Sequence, residues 1–155
     1  MPCLRLSSPL RWRTHKGFSI LSRRQLSTSA ATDPPFTPLF DPDLLRRPDV
    51  SFVRSGRLPG DIAPKGWVRI PPDLAVEVVS PNDLVEVLEE KLDDYRKVEV
   101  SLIWVIYPEL RKVKVLRGDG SVSELREDDE LSGEGVIPGF RCPIREILPP
   151  RPERA

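Results

Sequence analysis

Histidine is nearly missing from this chain of 155 residues. Its one histidine, His15, lies close to the N-terminus, which removes a His-based triad, a His-ligated zinc and a Cys–His nucleophile pair from the body of the chain. Cysteine is almost as scarce. Cys3 and Cys142 stand alone near opposite ends and make neither a disulfide framework nor a zinc site. No apolar run approaches the ~20 residues of a membrane-spanning helix. No stripe of interleaved aromatic and basic residues, of the kind that reads single-stranded nucleic acid, is visible along the chain. Hydrophobic residues make up 39% of the chain and prolines number 18. The first is low and the second high for a globular chain, so part of the length of one domain is not core. Any chemistry has to come from carboxylates, lysine, tyrosine or hydroxyls.

What is present is unevenly spread. Residues 1–40 carry six Lys/Arg and one acid, Asp33, and residues 41–155 carry 18 Lys/Arg and 23 acids. The second segment is therefore acidic by five charges, which gives no support for a generally basic nucleic-acid surface and leaves a local patch open. Residues 1–32 hold Arg5, Arg11, Arg13, Lys16, Arg23 and Arg24 among six serines and no acid. That is the composition of an organelle transit peptide, and equally that of a non-native extension from a misplaced start. The stretch Asp33-Pro-Pro-Phe-Thr-Pro reads as a linker. The expected organisation is an extension and linker over 1–40, one domain over 41–150 and a tail over 151–155.

Within the domain, residues 49–54 read as a strand opened by Pro48, and 55–71 as an irregular segment anchored by Trp67. Residues 73–79 and 101–107 read as buried strands, 112–117 as a half-exposed strand, and 121–125 as a further short one after the turn at Asp119-Gly120. Residues 83–98 read as a helix, with Asp83 and Glu86 as a capping box and Leu84, Val87, Leu88, Leu92 and Tyr95 as its apolar stripe. Residues 144–148 read as a closing helical turn. This strand, strand, helix, strand, strand, strand order is that of an α/β domain.

The stretch Pro72-Asp73-Leu-Ala-Val-Glu77-Val-Val-Ser-Pro carries the chemistry. Alternation sends Leu74, Val76 and Val78 to one face and Ala75, Glu77 and Val79 to the other. Both faces are mostly apolar, so Glu77 sits inside a strand covered on two sides, where a carboxylate needs a cation or a metal. Lys91 falls within the apolar stripe of the next helix. Alone it reads equally well as a snorkelling lysine, and Glu77 alone as a structural carboxylate with a basic neighbour. Together, on adjacent elements, they suit a metal site with a charge-stabilising or proton-transferring amine. A metal needs a second acid. Asp73 shares a face with Glu77 but lies four strand steps away, about 13 Å, too far to share one ion. Asp49 opens the neighbouring strand, and the pair Asp49 and Glu77 can hold one Mg2+; Asp49 is also an ordinary strand-start residue after proline. Tyr95, one turn beyond Lys91, belongs to the core with its hydroxyl near the site.

The runs Arg-Pro-Asp49-Val-Ser-Phe-Val, Pro-Asp73-Leu-Ala-Val-Glu77-Val-Val-Ser-Pro-Asn-Asp83, Glu90-Lys91-Leu-Asp-Asp-Tyr95, Leu102-Ile-Trp-Val-Ile-Tyr-Pro and Gly135-Val-Ile-Pro-Gly-Phe-Arg-Cys-Pro, in that order, resemble the Uma2 (DUF820) family of restriction-endonuclease-like proteins over roughly residues 46–148. The resemblance implies the PD-(D/E)xK nuclease fold, a restriction-endonuclease-like mixed central β-sheet with flanking helices. It implies a Mg2+ (or Mn2+) site made by Asp49, Glu77 and the Val78 carbonyl, with Lys91 as the catalytic lysine, Asp73 and Tyr95 as secondary residues, and DNA as the substrate of phosphodiester hydrolysis. Where the usual motif has a lysine two residues after the acid, this chain has Val79, and the resemblance moves the lysine to the helix. It implies a homodimer, a bacterial-type cytoplasmic setting with no membrane, or a mitochondrial or plastid one if residues 1–32 act as a transit peptide. The family's opening helix and strands are missing from the expected domain, replaced by the Arg/Ser block, which favours the misplaced start. Two competitors follow: a binding remnant of the same fold, and a truncated inactive product.

Overall fold

The structure, a computed structural model, describes residues 36, 45–62 and 67–150, and the backbone of 30–32. Its longest apolar run, Leu-Ile-Trp-Val-Ile-Tyr, forms a strand that is paired on both edges. The sheet has six strands in chain order: β1 (Ala30–Thr32), β2 (Val50–Phe52), β3 (Leu74–Val78), β4 (Leu102–Tyr107), β5 (Lys112–Arg117) and β6 (Val122–Arg126). All neighbours are antiparallel except β3 and β4, which are parallel. A parallel pair needs a crossover connection, and the helix α1 (Val85–Lys97) supplies it. The sheet is mixed, as the family resemblance implies.

Alternation along the strands sorts their side chains into two cores. Leu74, Val76, Val78, Leu102, Trp104, Ile106, Val113 and Val115 face one side. They are covered by a small second sheet, β7 (Glu130–Ser132) with β8 (Arg141–Pro143), and by the single turn α2 (Ile144–Ile147). Trp104 stacks there on Phe140 with ring centroids 5.6 Å apart. Ala75, Ile103, Val105 and Leu116 face the other side, under Leu92, Tyr95 and Val98 with Phe36 and Val68. β3 and β4 are thus buried on both faces, the environment their near-continuous apolar sequence requires.

Four local expectations are corrected. Asp83 does not cap α1. The N-cap is Leu84, without a side-chain hydrogen bond, and the Asp83 carboxylate instead accepts from the Ser80 N–H at 2.8 Å, closing a turn ahead of the helix. The apolar stripe is buried only in its second half, since Leu84 and Val87 are exposed beyond the edge of the sheet. Trp67, expected as a packing anchor, is 55% exposed. Two pieces of the expected extension and linker join the domain. Ala30–Thr32 pairs antiparallel with β2, and Phe36 is buried against Tyr95 with ring centroids 6.0 Å apart. The rest of residues 1–35 and the tail 151–155 lie outside the described residues.

The way α1 ends explains the tight link to β4. The Val100 N–H donates to the Tyr95 carbonyl and the Glu99 N–H to the Arg96 carbonyl. This is a Schellman arrangement, with Glu99 in the left-handed conformation at φ 59°. It turns the chain sharply enough for β4 to start at Leu102.

Candidate active site

The first ligand candidate is positioned by the end of a strand pair. β2 pairs with β3 up to Val50 opposite Val76, and one more step of that register sets Asp49 opposite Glu77. Beyond that point the Val78 N–H has no strand neighbour on this side, and a buried N–H has to be satisfied. The Asp49 carboxylate takes it at 2.7 Å. The Val78 side chain points into the opposite core, so only its main chain is available at this edge.

Glu77 is buried to 3% exposure near the C-terminal end of β3. Its two oxygens are divided between two donors from α1. The Lys91 ammonium donates to Oε2 at 2.9 Å and the Tyr95 hydroxyl donates to Oε1 at 2.5 Å. Lys91 and Tyr95 are one helical turn apart, so both reach the same carboxylate. Burial pushes the Glu77 carboxyl up. The Lys91 and Tyr95 hydrogen bonds oppose this, the Asp49 charge adds to it, and the net direction is upward. Burial first, then the charge of Glu77, pushes the Tyr95 hydroxyl far above its ordinary range, so it stays a donor. Arg46 fixes α1 from outside by an ion pair with Asp94, which Lys97 shares at 3.0 Å.

The structure therefore brings together Asp49, Glu77, Lys91, Tyr95 and the main chain of Val78. It leaves Asp73 out. That carboxylate, at the far end of the same strand, accepts from the Arg54 N–H at 2.8 Å and from the Arg54 and Arg57 guanidiniums at 2.7 Å each. Burial works against its charge, but the Arg54 N–H and the two guanidiniums outweigh burial and hold the carboxyl below its usual range. Asp73 is a fastening point for the loop after β2. Arg54 and Arg57 carry no periodic signal in the sequence that would have paired them with it.

A cavity of about 140 Å³ opens at the C-terminal end of β3. It is lined by Glu77 and Lys91 on one side and by Asn82, Leu84, Val87 and Leu88 on the other. Two buried carboxylates offer hard oxygen donors, a set that fits Mg2+ or Mn2+. Among the described residues no group of three or more His, Cys, Asp or Glu gathers as a metal cluster. The protein's share of a coordination shell would then be two carboxylates and a main-chain carbonyl, which is usual for Mg2+ completed by water and a phosphate. Among the described residues no helix is long and apolar enough to cross a membrane.

The model of one protein family, Uma2, described as "Putative restriction endonuclease", matches residues 15–145. Among solved structures, the chain is similar to the crystal structure of a "putative nuclease belonging to DUF820" from Anabaena variabilis ATCC 29413. The TM-score is 0.66 at 21% identity, over 77% of this chain and 66% of that one. This chain thus spans just under two thirds of that relative's length, and the likeness is one of fold. No curated protein matches.

Proposed function

The chain belongs to the Uma2 family, and from that premise we propose that it is a divalent-metal-dependent nuclease hydrolysing DNA phosphodiester bonds. One observation carries the reading. Asp49 and Glu77 are brought face to face across β2 and β3, both buried, with the Lys91 ammonium 2.9 Å from Glu77. Burying two like charges side by side is costly unless cations offset them.

In this reading Asp49, Glu77 and the Val78 carbonyl hold Mg2+ or Mn2+. A cation at that place supplies Lewis acidity toward a phosphate and a lower pKa for an attacking water. The protein's own residues do the rest. The Val78 N–H fixes the Asp49 carboxylate from behind. Tyr95 holds Oε1 of Glu77 and so aims the other oxygen at the cavity. Lys91 is 27% exposed along its side chain, so its ammonium reaches the cavity while bound to Glu77. There it orients water or stabilises negative charge on phosphate oxygens. Leu84, Val87 and Leu88 give the cavity an apolar wall.

The test is a nuclease assay on the purified chain with plasmid and single-stranded DNA, in Mg2+, Mn2+ or EDTA, beside Glu77→Ala and Lys91→Ala. Metal-dependent cutting that both substitutions abolish is the expected result. No cutting under any metal, with all three proteins equally folded, overturns the nuclease reading and favours a binding module on the same fold.

A further inference from the structure

Read along the chain, basic and aromatic residues do not interleave, but sheet pairing brings them together. Tyr107 ends β4 and Lys112 begins β5, and the two are directly opposite. Lys114 is two residues on and shares the same face. The ammoniums of Lys112 and Lys114 lie 5.6 and 5.7 Å from the centroid of the Tyr107 ring. On the next strand Arg126 is opposite Lys112, and Glu124 is opposite Lys114. The helix α1 packs on β3, β4 and the end of β5 through Leu92 and Tyr95. The β6 residues of this face, Val122, Glu124 and Arg126, are exposed, so this part of the sheet is an open platform.

The platform belongs to the same face as the candidate active site. Glu77 is opposite Val105, and Val105 is opposite Lys114. Asp49, Glu77, Val105, Lys114 and Glu124 thus form one row across the sheet, and two strand spacings separate the Glu77 and Lys114 backbones, about 10 Å. Tyr107 and Leu88 pack on the same core, and Leu88 also lines the cavity. The platform continues the site around the N-terminal end of α1.

We propose that Tyr107, Lys112, Lys114 and Arg126 form a binding platform for a single-stranded DNA segment next to the scissile phosphate. One unpaired base stacks on the Tyr107 ring, and flanking phosphates pair with the three cations. The proposal rests on the nuclease reading for its choice of ligand. A half-buried tyrosine ring with two lysine ammoniums against it suits a ligand that offers a π-face and negative charge in alternation. Burial, then Glu89 and Glu124, pushes the Tyr107 hydroxyl up, so the ring carries no charge of its own against a phosphate. Glu124 occupies the place of a phosphate: it accepts from Lys112 at 2.7 Å and from Arg126 at 2.8 Å. It holds both cations extended until a phosphate displaces it.

The experiment is fluorescence anisotropy with a labelled 12-nucleotide single strand and the matching duplex. It uses the full chain in EDTA, so that binding is read without cleavage, over a range of salt. Lys112→Gln with Lys114→Gln is expected to weaken single-strand binding at least tenfold. It should also flatten the salt slope by about 1.4, at about 0.7 per lost phosphate contact. Tyr107→Ala weakens binding about tenfold or more, and Tyr107→Phe restores it. Glu124→Gln tightens binding, an opposite sign that loss of structure would not produce. Arg141→Ala, on the other side of the sheet, stays within twofold. Circular dichroism checks that each variant is folded. The proposal is overturned by absent single-strand binding, by a lysine pair that changes neither affinity nor slope, or by duplex binding that loses as much as single-strand binding. Binding that follows these variants in a chain that never cuts DNA would keep the platform and sink only the nuclease reading.

Discussion

Replacing Lys91 by methionine isolates the ion pair at the centre of the site. Methionine keeps most of the lysine stem and removes the charge, so packing against α1 changes little. The pair is 2.9 Å long. With 332/(εr) and an effective ε of about 20, its gross attraction is about 6 kcal/mol. Desolvation of both groups opposes most of that. The Glu77 side chain is 4% exposed and that of Lys91 27%, so water screens one partner and the loss falls below the 3–5 kcal/mol typical of breaking a fully buried pair. An expected cost of ~2–3 kcal/mol remains, because Glu77 is left buried opposite Asp49 with Tyr95 as its donor. For a domain of this size that lowers Tm by roughly 10–20 °C. Adding Glu77→Gln to Lys91→Met removes the stranded charge and recovers more than half of the loss, which a double-mutant cycle reads directly. Differential scanning calorimetry at neutral pH is the assay. A Lys91→Met protein melting within about 2 °C of the parent would show that the lysine is held by water and that the pair carries no weight.

Tyr95→Phe removes one hydroxyl that donates to a buried carboxylate. It should cost ~1.5–3 kcal/mol in urea unfolding, the range for hydrogen bonds to charged groups, with no change in the m-value. Burial raises the Asp73 carboxyl, but the hydrogen bonds from Arg54 and Arg57 outweigh it and hold the group below its ordinary value. Its ion pairs therefore stabilise fully above that value and are lost as pH falls through the lower folded pKa. Asp73→Asn should lower Tm at pH 7, and the gap should close as acid titrates the folded carboxyl below the ordinary carboxylate range; a gap that stays constant into strong acid would refute the assignment. Glu99→Gly places glycine at a left-handed position, φ 59°, and should raise stability by ~0.5–1 kcal/mol, read as a higher Tm. Trp67→Ala, at an exposed site, should change stability by no more than about 0.5 kcal/mol.

How much of this was legible in the sequence depended on the range of the interaction. The strands around Val76, Trp104 and Val115 were legible because alternation and apolar runs are local signals. So was the pairing of Glu77 with Lys91, since a helix that directly follows a strand has to lie against it. The far end of β3 was not legible. Arg54 and Arg57 come from a loop, and no periodicity says where a loop side chain will land. The three-residue strands β7 and β8 are too short to show a period. Glu99 is a left-handed residue that gives no glycine signal. The apolar stripe of α1 misled for a related reason: 3.6 spacing says which residues share a helix face, not how far the sheet beneath that face extends.

The same distinction explains how an acidic domain can be read as one that handles a polyanion. Net charge sums over the chain, whereas a ligand meets only the residues that share a face. Several acids are held by fixed partners away from this face: Glu127 by Arg111, Glu134 by Arg117 and Glu130 by Arg141. The row from Asp49 through Glu77 and Val105 to Lys114 is assembled across four strands by register alone. It is negative at one end, where a divalent cation would sit, and positive about 10 Å away, where the next phosphates of a strand would fall. A one-residue slip of β3 against β2 would turn Glu77 into the opposite core and leave Asp49 facing an apolar residue. The proposed site and the stability of the sheet therefore depend on the same pairing, and substitutions that loosen β2 against β3 should weaken the proposed metal site before they unfold the chain.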